Sequence, residues 1–144
     1  MQLSRFTDYS LRVLFYVATH TDRLSTLAEI AGYYDISIEH LRKVVHALGK
    51  SGHLQTYRGK NGGIALKMKP NEINIGDVIA QTEGINPLIN CDAQDCCLTG
   101  ICSLEQALQE AQQAFMATLK KYTLADLLRH PQMTHQLIGT FTEA

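Results

Sequence analysis

Between Thr26 and Met68 the hydrophobic spacing switches from helical to alternating, and this switch restricts the fold more than any other feature. Ile38, Leu41, Val44, Val45 and Leu48 fall on one face of a helix expected from about Ile38 to Lys50. His40, Lys43, Ala47 and Lys50 line the opposite face, flanked by Arg42 and His46. Upstream, Thr26 with Glu29 three residues on fits a capping box, which predicts a short helix stopping near Gly32. Tyr33 to Ile36 then reads as a tight turn, with Ser37 as N-cap of the amphipathic helix. Downstream, two short strands, His53 to Arg58 and Ile64 to Met68, flank Gly59-Lys60-Asn61-Gly62-Gly63, whose Asn-Gly pair and glycines are expected to supply positive φ angles. Helix, turn, helix, glycine-tipped hairpin is the order of a winged helix-turn-helix.

The remainder adds helices around that unit. Leu11 to Ala18 is apolar almost all round, as a buried core helix should be. Pro70 closes the hairpin, and a helix from about Ile75 to Thr82 follows, capped by Asn74. Residues 84–101 show no period and read as a loop. Ser103, with Gln106 completing a capping box, is expected to open a long helix. Leu104, Leu108, Ala111, Phe115, Thr118 and Tyr122 form a heptad seam along it, on a rod of roughly 30 Å. Thr123 to Leu128 resumes a short helix, and the stretch after Pro131 is uninformative. The fold class is therefore mainly α with a small β wing.

Net charge is −1, which alone would argue against a polyanionic partner. Its distribution argues otherwise. From Ser37 to Lys69 seven basic residues face one acid, Glu39, whereas Pro70 to Leu119 holds seven acids and no base. A protein that touches nucleic acid needs a local basic face rather than a basic average. In the major groove the candidate contacts are Ser37, His40, Arg42 and Lys43 of the second helix. Arg58, Lys60 and Asn61 at the hairpin tip suit the adjoining minor groove. No nucleophile–base pair or phosphate loop suggests enzyme chemistry.

Cys91, Cys96, Cys97 and Cys102 lie within twelve residues of the loop. No apolar run reaches the ~18 residues of a membrane span, and the start lacks the basic and apolar regions of a signal peptide. A cytoplasmic location is therefore expected, where cysteines serve more often as ligands than as disulfides. Cys-x4-Cys-x5-Cys is wider than a zinc knuckle and suits a bulkier iron–sulfur cluster. If neighbouring Cys96 and Cys97 point apart, three of the four converge most easily, and a fourth ligand comes from elsewhere. Zinc, or a thiol-redox switch at Cys96-Cys97, are the alternatives in the same binding class; an iron–sulfur electron carrier would leave the basic wing idle.

Phe6-Thr7-Asp8-Tyr9-Ser10-Leu11-Arg12, the wing Arg58 to Ile64, Ile75-Gly76-Asp77-Val78-Ile79, the cysteine loop and Tyr122 to Leu127 together resemble the NsrR/IscR family of iron–sulfur winged-helix regulators, from Met1 to about Leu128. The resemblance implies a homodimer joined by the long helix that binds a palindromic operator in double-stranded DNA. It further implies a repressor that senses nitric oxide through its cluster and releases DNA when that cluster is nitrosylated, freeing nitric oxide detoxification genes. Some members sense cluster supply instead. By position Cys91, Cys96 and Cys102 match the cluster ligands, with Cys97 a possible substitute for Cys96, and Asp8 matches an acidic fourth ligand supplied to the partner subunit. The cluster is [4Fe–4S] or [2Fe–2S]. The expected division is residues 1–84 for DNA binding, 85–102 for the cluster loop and 103–144 for the dimerisation helix and tail.

Overall fold

The computed structural model describes residues 1–139, so the end of the expected C-terminal unit, 140–144, lies outside the described residues. The elements are α1 (Arg5–Ala18), α2 (Leu27–Tyr34), α3 (Ile38–Lys50), β1 (Leu54–Tyr57), β2 (Gly63–Leu66), α4 (Ile75–Glu83), α5 (Ser103–Leu119), α6 (Leu124–Leu127) and α7 (Pro131–Gly139), with a 3₁₀ turn at Pro70–Glu72. Mainly helical with a small antiparallel hairpin, the chain has the fold class its sequence predicts.

α1 begins where the Ser4 hydroxyl accepts a hydrogen bond from the Thr7 amide, satisfying an orphan donor of the first turn. Its Val13, Leu14, Tyr16 and Val17 are buried against Leu41, Val44, Val45 and Leu48 of α3 and Ile75, Val78 and Ile79 of α4. Each such side chain contributes about 1.5–3 kcal/mol by leaving water. α3 spans the expected residues, and α4 starts at Asn74, whose side chain accepts from the Asp77 amide.

α2 carries the expected capping box at Thr26 and Glu29 but does not stop at Gly32. It continues to Tyr34 and ends on Asp35 in the left-handed region, φ 55°. Tyr33 and Tyr34 pack their rings 5.4 and 6.4 Å from that of buried Tyr16. That packing outweighs the ~1 kcal/mol cost of a glycine inside a helix.

The hairpin pairs Leu54 with Leu66 and Tyr57 with Gly63. Among its tip residues only Gly59 takes a positive φ, 97°, so the expected role of the other glycines needs correcting. A Cβ on Gly62 would collide with the Tyr57 carbonyl, and one on Gly63 would lie 2.8 Å from Leu24 Cβ and the Ser25 carbonyl. Those two glycines permit close approach rather than an unusual turn. The second approach matters because Ser25 and Ile64 exchange backbone hydrogen bonds of 2.9 and 2.7 Å, tying the wing to the entry of α2.

α5 departs further from expectation. Cys102, with extended backbone, occupies the N-cap and Ser103 is already helical, so the Ser103–Gln106 box does not form. A hydroxyl caps only from the extended position, and here a thiol holds it. The helix has 17 residues, about 25 Å, rather than the longer rod. None of its side chains is buried. Leu108, Gln112, Met116 and Leu119 are half-buried towards the rest of the chain, so Leu108 belongs to the inner row and not to the outer seam. Leu104, Phe115 and Tyr122 of that seam remain 57, 44 and 44% exposed. After α5 the chain returns. The Leu124 amide donates to the Ile73 carbonyl at 2.8 Å, and the Leu124 side chain is fully buried in the core. The uninformative stretch after Pro131 forms α7, whose Leu137 is buried and whose Gln136 carbonyl accepts from the Tyr33 hydroxyl at 3.0 Å.

Candidate nucleic-acid interface and cysteine loop

α3 presents Ser37, His40, Arg42 and Lys43 to solvent at its N-terminal half. Ser37 sits at the N-cap position yet its hydroxyl makes no capping hydrogen bond, so the first amides of α3 keep their donor capacity. Arg42 lies 3.4 Å from Glu39, but with 60 and 74% exposure the pair is weak and easily exchanged. The His40 ring lies 6.2 Å from that of Tyr9 on α1, tilted 43° to it. At the wing tip Arg58, Lys60 and Asn61 are all exposed, carried on a turn closed by the Gly62 amide donating to the Gly59 carbonyl at 3.0 Å.

Between α3 and the wing lies a groove of about 360 Å³ lined by Val45, His46, Gly49, Lys50, Leu54, Gln55, Thr56 and Lys67. Sequence reading did not bring Lys67 and Lys50 together. They converge because β1 turns back along α3 and the Lys67 amide donates to the His53 carbonyl at 3.0 Å. His53 itself is buried at this hinge, its Nδ1 2.7 Å from the Ser51 hydroxyl. Burial pushes its pKa down, with Asp77 opposing.

The cysteine loop opens at Gly84, φ 81°, and closes at the N-cap of α5. Its backbone hydrogen bonds are local turns, such as the Cys96 amide to the Gln94 carbonyl at 2.8 Å and the Thr99 amide to the Cys96 carbonyl at 3.2 Å. A longer tether runs from the Gln112 amide group of α5 to the Asn86 carbonyl, 2.7 Å. All four thiols are free; Cys91 and Cys102 are half-buried, Cys96 and Cys97 exposed. Cys91 lines a pocket of about 140 Å³ against Glu105, Leu108, Gln109 and Gln112 of α5. Partial desolvation raises its thiol pKa, and Glu105, Cys96, Cys102 and Asp92 add to the rise. Such surroundings disfavour a bare thiolate and favour one neutralised by a multivalent cation. Four soft donors in an acidic, solvent-open loop fit an iron–sulfur group in chemistry, although among the described residues no three metal-binding side chains converge.

Asp8 lies in the first turn of α1, where it accepts from Arg12 Nε at 3.1 Å with both side chains nearly half exposed. The Arg12 guanidinium stacks over Tyr9 and Tyr34 at 5.9 and 5.6 Å. Sequence reading missed the residue that joins α1 to the loop. Glu83, the last residue of α4, accepts from the Ser4 amide at 2.9 Å, the Ser4 hydroxyl at 2.9 Å and the Thr7 hydroxyl at 2.6 Å. The Thr7 hydroxyl and the Ser4 amide hold its carboxyl below the usual carboxylate range. A lone glutamate before a glycine carries no signal of that pairing.

Comparison with known proteins gives a consistent result. The Rrf2 family, described as iron-dependent transcriptional regulators, matches residues 3–130. The HTH-type transcriptional regulator NsrR of Halalkalibacterium halodurans is 44% identical over 142 residues, covering 96% of this chain and 97% of that one. CymR, the global cysteine regulator of B. subtilis, superposes with a TM-score of 0.75 at 24% identity, over 90% of this chain and 98% of its own. T. potens IscR does so with a TM-score of 0.73 at 24% identity, over 90% and 87%.

Proposed function

This chain belongs to the Rrf2 family of transcriptional regulators, and from that premise we propose that it is a homodimeric DNA-binding repressor that senses nitric oxide through an iron–sulfur cluster. The observation that carries the cluster reading is the confinement of all four free thiols to one exposed loop that ends at α5. Near end-to-end similarity to an NsrR supports the signal. When bound, the cluster supplies iron that reacts with nitric oxide.

Cys91, Cys96 and Cys102 hold the cluster, with Cys97 able to replace Cys96, and Asp8 contributes a fourth ligand to the partner subunit. To do so Asp8 must leave Arg12, a part-exposed ion pair worth at most about 1 kcal/mol. Residues 1–84 read DNA, 85–102 hold the cluster and 103–144 join the subunits. The exposed seam Leu104, Ala111, Phe115, Thr118 and Tyr122 is the face that a second α5 covers. In the resulting dimer Ser37, His40, Arg42 and Lys43 meet the major groove, and Arg58, Lys60 and Asn61 the minor groove. The two copies of α3 must stand about 34–36 Å apart to enter successive major grooves, so whatever fixes the loop against α1 and α5 sets DNA affinity.

Anaerobic purification tests this reading. Wild-type protein should be coloured and bleach with nitric oxide, with a matching loss of DNA binding. Cys91→Ser should lose the colour and the response while keeping its helical content. A colourless protein with stoichiometric zinc, or a Cys91→Ser variant that still represses and still responds, overturns it.

A further inference from the structure

A major groove and its neighbouring minor groove are separated by a single sugar–phosphate strand. A protein with α3 in the first and the wing in the second must therefore pass that strand through the space between the two elements. In this chain that space is the groove of about 360 Å³ between α3 and β1. Buried Val45 and Leu54 form its floor, and no carboxylate lines it. His46 and Lys50 stand on one wall, Gln55 and Thr56 on the other, and Lys67 enters from just beyond the end of β2. Lys50 and Lys67 are both exposed, and neither takes part in an ion pair among the described residues. Two unpaired ammonium groups, an imidazole and two neutral hydrogen-bonding side chains thus share one channel without a counter-charge. An uncompensated cationic pair on one surface is unfavourable alone and becomes favourable against a polyanion.

We infer that the α3–wing groove seats the DNA backbone, with Lys50 and Lys67 neutralising phosphate and Gln55 and Thr56 hydrogen-bonding its oxygens. The inference rests on the DNA-binding reading and adds to its contacts Lys50, at the C-terminal end of the α3 polar face, and Gln55, Thr56 and Lys67, away from the wing tip. The contacts are sequence-independent. They fix the tilt of the wing against α3, so the tip residues Arg58 and Lys60 are presented at a defined depth.

The test is a salt titration of affinity for two duplexes of equal length, one mixed in sequence and one A·T-rich. Proteins compared are wild type, Lys50→Gln, Lys67→Gln, the double Gln variant and the double Arg variant. Each lost phosphate contact should lower the steepness of log affinity against log salt by about 0.9 per subunit, and the double Gln variant by about 1.8. The weakening should be equal on both duplexes, and the double Arg variant should keep the wild-type slope. Melting temperature should change little, because both lysines lie on the surface and the relief of their repulsion offsets the loss of the Lys50 charge at the end of α3. A double Gln variant with an unchanged slope, or a loss confined to one duplex, overturns the inference while leaving DNA binding intact. Wild-type protein with no salt-dependent affinity for either duplex would instead remove the reading on which it rests.

Discussion

Residues 1–83 and the stretch from 84 to 122 are built on opposite plans. In the first, three of the four helices open with satisfied caps, at Ser4, Thr26 and Asn74, and all four meet in one core. Among the described residues, apart from Leu124 and Leu137, every buried hydrophobic side chain lies between Val13 and Ile79. In the second, a loop of local turns leads into a helix with no buried side chain and an apolar seam facing solvent. Most of the stability of a helix in a protein comes from packing its apolar face, and α5 packs little of its own. The first region holds its shape by its own packing, whereas the second has no core of its own and on the proposed reading depends on what covers it. That dependence suits a regulator, since an element whose order comes from a partner or ligand can be switched by losing it.

The contrast can be broken most decisively in the core. Leu14→Ala should lower unfolding free energy by roughly 2–5 kcal/mol, read from urea denaturation. A loss below half a kcal/mol would mean that the first region is not self-supporting. A smaller effect tests the other region. Phe115→Glu places a charge on the exposed seam and should raise the dimer dissociation constant at least tenfold, about 1.4 kcal/mol, by sedimentation. It should leave the near-ultraviolet signature of the tyrosine cluster unchanged; a dimer of undiminished affinity would discard the seam.

The smallest expected effects lie at the end of the first region, Glu83, and at its α3–wing hinge, His53, and are read as pH dependence. Glu83 has a folded-state pKa below its unfolded value, so its contribution is present above the unfolded value and lost as pH falls through the folded one. His53 is also depressed, and for a histidine that means the unfolded state binds more protons, so stability falls as pH drops below about 6.5. Glu83→Gln should flatten the acid limb of the stability curve and cost about 1 kcal/mol at neutral pH. His53→Gln should flatten only the limb near pH 6. If both variants keep the wild-type profile, the clasp and the hinge contribute nothing.

What could be read from residue order alone was whatever short-range physics controls. The Thr26–Glu29 box, the Asn74 cap, the bounds of α3 and the clustering of thiols all depend on neighbours within a few positions. The errors share a cause. Gly32 was overridden by ring packing with Tyr16, and Gly62 and Gly63 serve a close approach to Tyr57 and Leu24 that no local pattern encodes. Ser103 lost the cap to Cys102 through backbone direction at a loop exit.

Periodicity, capping chemistry and cysteine spacing therefore determined the winged helix, its basic face and the soft-donor loop, because each arises within a few residues of chain. Tertiary structure alone decided that Glu83 grips Ser4 and Thr7 more than seventy residues away, that Lys50 and Lys67 share a groove, and that α5 shows its seam outward. Those outcomes depend on how whole elements pack, and the free energy of packing is a property of surfaces that meet only once the chain has folded.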